Sequence, residues 1–125
     1  MAKKDNYEAC RQYIVREKDA AAEDLENTMI RASTWAHNLE WNGDRIAKLA
    51  AVVEIGDYLI ELLSSPKHAD NDSAIEFVKG TLQMEIIGCA KYPKMSTSPM
   101  ANFMHVVRQQ VRAEYHAQLI HILQR

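Results

Sequence analysis

A chain of 125 residues, 47 % hydrophobic and 26 % charged, has the composition of one folded domain and not of a disordered segment. Its formal charge of −2 gives no electrostatic case for a nucleic-acid partner or an anionic membrane surface. Met1 to Asn6 lacks the apolar stretch of a signal peptide. The longest apolar run, Leu49 to Val53, is far short of the roughly 20 residues that span a bilayer, so a cytoplasmic chain is expected. Cys10 and Cys89 stand far apart with no CxxC, which reads as two reduced, buried thiols and no sulfur-based metal site.

The first predicted helix opens at Asp5 or Asn6, where Asp5 and Glu8 have capping-box spacing. Tyr7, Cys10, Ile14, Ala21, Leu25, Met29, Ala32, Ala36 and Leu39 recur at three- and four-residue steps, the signature of one helical face. The break is expected at Asn42-Gly43, since glycine readily takes the left-handed conformation that ends helices. Ser33-Thr34 is the expected bend within this long helix, because hydroxyls compete for backbone partners.

A second helix is predicted from Asp44 to about Leu63, stopping before Ser64-Ser65-Pro66. Its apolar residues cover a wide arc (Ile46, Leu49, Val53 and Ile60, then Val52, Ile55, Leu59 and Leu62), which marks a central helix. The third opens at Ser73, with Glu76 completing a second capping box, and ends at Lys91-Tyr92-Pro93. The fourth opens at Ser98-Pro99, with core positions Phe103, Met104, Val107, Val111, Tyr115, Leu119 and Ile122. No stretch alternates with period two. The expected fold is all-α: one domain over 1–125, a four-helix bundle-like array with a long first helix. That helix outreaches the second. Its stripe at Tyr7, Cys10, Tyr13 and Ile14 must be covered by the third or fourth helix or by a second chain, which leaves a homo-oligomer open.

Two acid pairs stand out. Glu23 and Glu26 lie on the first helix, Glu54 and Asp57 on the second, each pair at i and i+3 and so on neighbouring helix surface. About a turn centred on Trp41, Glu26 lies 15 residues before and Glu54 13 after; Glu23 lies 18 before and Asp57 16 after. An antiparallel hairpin would bring all four to one level, where Mg²⁺ suits the oxygen-rich setting. Glu-x-x-Glu on one helix and Glu-x-x-Asp on the next resembles the MazG-like all-α nucleotide pyrophosphohydrolases. The resemblance covers the first two helices. It implies Mg²⁺ bound by Glu23, Glu26, Glu54 and Asp57, and cleavage of nucleoside triphosphates to monophosphate and pyrophosphate. Without the resemblance, Glu54, Asp57 and Glu61 read as the solvated stripe of a largely apolar helix.

His105, Arg108, Arg112 and His116 form a basic stripe on the fourth helix. Such a stripe either binds phosphate or an acidic partner, or pairs with acids of the same chain such as Glu54, Asp57 or Glu61. Trp41, at the expected hairpin tip, reads as an interface anchor or as a ring folded over the bundle end. No nucleophile set, helical metal pair or glycine-rich phosphate loop is present in the sequence. The expected function is a helical protein-interaction module, an adaptor or an inhibitor of the kind that includes phage-type antagonists. The Mg²⁺-dependent pyrophosphohydrolase is the alternative.

Overall fold

Four helices follow one another along the chain: α1 Ala2–Ala32, α2 Ala36–Leu63, α3 Asn71–Lys91 and α4 Pro99–Leu123. They come from a computed structural model. It describes the backbone of residues 2–32, 36–64, 71–91 and 98–124, and the side chains of 6–30, 43–64, 72–88 and 98–124. No strand occurs among the described residues, so the all-α bundle-like fold holds.

The start of α4 is built locally. Ser98 is extended (φ −87°, ψ 117°), its hydroxyl accepts from the Ala101 amide at 3.3 Å, and Pro99 is the first helical residue. Serine there satisfies one otherwise orphaned amide, and proline has no amide to orphan. The third helix begins at Asn71, two residues before the expected Ser73, and the first at Ala2 instead of Asp5 or Asn6.

The larger departure lies between the first two helices. The expected corner at Asn42-Gly43 is the interior of α2, and no glycine among the described residues has positive φ. α1 ends at Ala32 and α2 begins at Ala36; the bend expected at Ser33-Thr34 lies outside the described residues. A single glycine costs a helix interior roughly 1 kcal/mol, which tertiary packing absorbs. With these bounds α1 and α2 have 31 and 28 residues, so the expected overhang disappears.

The α1–α2 pair is antiparallel and is the most extensive packing in the molecule. The Tyr7 hydroxyl donates to the Leu63 carbonyl at 3.2 Å near one end, and Arg45 meets Asp24 at 2.7 Å near the other. The core repeats every fourth residue on α2 (Ala47, Ala51, Ile55, Leu59, Leu63) and on α4 (Val107, Val111, Tyr115, Leu119). Rows at that spacing are the ridges by which helices interdigitate. Cys10 and Ile14 of α1 join this core with Ala74, Val78 and Leu82 of α3, so the stripe that needed a cover finds it within one chain. Two expected core residues lie elsewhere: Met29 is 53 % exposed and Phe103 36 % exposed. Among the described residues no helix is long and apolar enough to cross a membrane.

Candidate functional site

The hairpin register decides where the acids go. With α1 ending at Ala32 and α2 beginning at Ala36, α1 positions 18 and 24 face α2 positions 57 and 45: Lys18 Nζ meets Asp57 at 2.8 Å, and Arg45 meets Asp24. Glu54 faces α4, where Arg108 Nε lies 3.3 Å from its carboxylate. Glu23 and Glu26 are exposed on α1. The expected common level of Glu23, Glu26, Glu54 and Asp57 depended on a turn about Trp41, and the shorter hairpin takes them out of step. Among the described residues no group of three or more His, Cys, Asp or Glu is placed to hold a metal ion.

The two arginines of the α4 basic stripe are directed into the protein's own acids. Beside the Arg108–Glu54 pair, Arg112 Nε lies 3.3 Å from Glu85 of α3 and donates through its other nitrogen to Gln109 at 3.0 Å. Gln109 donates to the Ile86 carbonyl at 3.1 Å, and the Tyr58 hydroxyl donates to Glu85 at 3.3 Å. One polar seam therefore ties α2, α3 and α4. Burial, reinforced by the Glu85 charge, raises the Tyr58 phenol above its ordinary pKa. His105 and His116 are half-buried on the same helix, and His116 Nε2 is buried without a hydrogen-bond partner among the described residues. Trp41 lies within α2, no longer at a hairpin tip; its side chain is outside the described residues.

The turn-proximal half of the hairpin carries two concave surfaces of different chemistry. One is a cleft of ≈ 610 Å³ among α1, α2 and α4, crossed by Arg45–Asp24 at 2.7 Å and Lys48–Glu114 at 3.1 Å. Glu17 lines the same cleft, and Tyr13 lies beside it. Burial, then the charges of Glu17 and Glu114, push the Tyr13 phenol up to about 12. Tyr115, edge-on to Tyr13 with ring centroids 6.1 Å apart, is raised further, first by burial and then by Tyr13, Glu17 and Asp57.

The other surface is an open groove of ≈ 520 Å³ lined by Ala22, Leu25, Glu26, Met29 and Ile30 of α1 and Val53 of α2. Met29 is 53 % and Ile30 60 % exposed. Sequence reasoning placed Leu25, Met29 and Val53 in the core because their spacing continues the buried stripe. The spacing is real, but α3 and α4 cover that stripe only where Cys10 and Ile14 lie. Further large apolar side chains are exposed on α3 (Phe77, Met84, Ile87) and α4 (Met100, Phe103, Val106).

The chain matches no protein-family model, no curated protein and no solved structure.

Proposed function

We propose that the chain is a helical protein-interaction module, an adaptor or inhibitor that acts by surface contact and performs no chemistry of its own. The carrying observation is the groove between α1 and α2, whose walls hold two large aliphatic side chains more than half in water. Leaving such surface hydrated forgoes about 25 cal/mol per Å² that burial against a partner would recover. Met29 adds adaptability, since its unbranched thioether fills irregular contacts. The charged stripe of α4, in contrast, is engaged within the chain through Arg108 and Arg112.

The test compares the wild-type chain with a Met29→Glu, Ile30→Lys double variant, both immobilised and exposed to extract of the source cells. The expected result is one protein held at fixed stoichiometry by the wild type and lost by the variant. Matching helical circular dichroism and unfolding midpoints show that only the surface has changed. If no retained protein distinguishes the two chains, the groove is not an interaction surface.

A further inference from the structure

We propose that the α1–α2 groove receives a basic amphipathic helix, a partner segment whose apolar stripe is flanked by Lys or Arg. This rests on the interaction-module reading and names the partner's chemistry.

The shape is a trough between two antiparallel helices, the natural seat for a third helix. Ala22 keeps one wall low, so a helix can approach closely. Leu25, Met29 and Ile30 supply apolar contact along roughly one and a half turns of α1, and Val53 adds to it from α2.

Charge selects among possible helices. Glu26 lines the groove and Glu23 lies one turn before it; both are exposed, and neither has a cation partner among the described residues. At the end away from the turn, Asp19 and Asp57 share a single cation, with Lys18 Nζ at 3.7 Å and 2.8 Å respectively. Asp57 follows Val53 by one helical turn and Asp19 precedes Ala22 by one, so both belong to the rim of the trough. Among the described residues, four carboxylates against one lysine give this rim a negative potential that attracts a cationic flank and repels an acidic one. The same charges disfavour a second copy as the occupant. A two-fold contact between identical faces would bring Glu23 and Glu26 towards their own counterparts.

The probes are two synthetic helical peptides of about 18 residues, roughly five turns. They carry an identical leucine stripe, one with lysine and the other with glutamate on the polar face. Fluorescence anisotropy measures binding to the full chain, and light scattering gives its mass. The lysine peptide is expected to bind at least about tenfold more tightly than the glutamate peptide, a difference of ~1.4 kcal/mol. That preference should shrink between roughly 50 mM and 300 mM salt. Met29→Asp should abolish binding, Glu23→Lys with Glu26→Lys should reverse the preference, and Phe77→Glu on α3 should change neither.

Equal binding of both peptides, or lysine-peptide binding that survives Met29→Asp, overturns the assignment. So does a concentration-dependent dimer dissolved by Met29→Asp, which would make a second copy the occupant. If the peptides show no preference while a cellular protein is still lost with the groove variant, the partner's chemistry is wrong and the interaction module stands. If both experiments fail, both proposals fall.

Discussion

A β-carbon placed on Gly56 would lie 2.7 Å from the hydroxyl of Tyr115 and 2.8 Å from the β-carbon of Lys18. The Tyr115 hydroxyl is held there by donating to the Val52 carbonyl at 3.0 Å, and the Lys18 β-carbon is fixed to the α1 backbone. Neither neighbour is the free end of a flexible side chain, so α1 or α4 must shift to admit a methyl group. Gly56→Ala should therefore destabilise the fold by about 1–2 kcal/mol. Overpacking costs ~1–3 kcal/mol, offset by up to ~1 kcal/mol of helix propensity. The urea midpoint measures it; an unchanged or higher midpoint would mean that α1 and α2 are not in this close contact.

Gly43→Ala should do the opposite. Gly43 lies inside α2 with no described residue within 4 Å of its missing β-carbon, so alanine should raise stability by up to about 1 kcal/mol. A corner there, with glycine in the left-handed region, would instead make alanine destabilising. The sign of one midpoint shift thus distinguishes the two hairpins.

The same contrast shows what the sequence could disclose. Ser98-Pro99 starts a helix by chemistry confined to four residues, and it was legible. So was the α4 core from Val107 to Ile122, because its four-residue spacing repeats without interruption. The turn between α1 and α2 was not legible. Glycine is permitted at a corner but does not require one, and whether Asn42-Gly43 breaks or continues a helix rests on which pairing buries more surface. Every cross-hairpin relation inherits that choice. Glu54 and Asp57 were visible as acids, but their partners Arg108 and Lys18 follow from the register. Met29 shows a second limit: periodicity marks an apolar face and says nothing about where the covering helices stop.

Glu54→Gln should change stability by no more than about 1 kcal/mol, because the Arg108–Glu54 pair is largely exposed and water screens it. The acids' placement also sets an expectation for metal. A site holding Mg²⁺ at 100 times its dissociation constant would add about 2.7 kcal/mol to unfolding and raise the melting temperature. With Glu54 and Asp57 turned to Arg108 and Lys18, the melting temperature in about 10 mM MgCl₂ should equal that in EDTA to within roughly 1 °C. A larger rise that disappears in Glu54→Gln would show a metal gathered by rearranged acids.

Alkaline pH should unfold the chain through its buried phenols. An unfolded tyrosine ionises near 10.0, whereas Tyr13 in the fold ionises only at about 12. The folded state therefore holds its proton longer than the unfolded state. The resulting stabilisation is fully present below pH 10.0 and is lost as pH rises through about 12. Tyr115, raised further by burial, acts in the same direction. Denaturation midpoints across this range should fall steeply in the wild type and less steeply in Tyr13→Phe. Parallel slopes would show that Tyr13 titrates like an exposed phenol.

Thr28 offers a substitution expected to improve the fold. Its side chain is 2 % exposed, and its hydroxyl oxygen is buried with no hydrogen-bond partner among the described residues. A hydroxyl taken from water without compensation costs about 1–3 kcal/mol by mutational measures. Valine has nearly the same shape and removes that cost. Both residues are β-branched, so helix propensity changes little. Thr28→Val should raise the unfolding free energy by about 1 kcal/mol, read from the denaturant midpoint at unchanged slope. Thr28→Ser keeps the polar group and opens a methyl-sized gap, so it should lower stability by a similar amount. A loss of stability in Thr28→Val would mean that the hydroxyl has a partner, in the turn-proximal half of the hairpin or in a buried water, and that the α1–α2 contact there is more polar than this geometry implies.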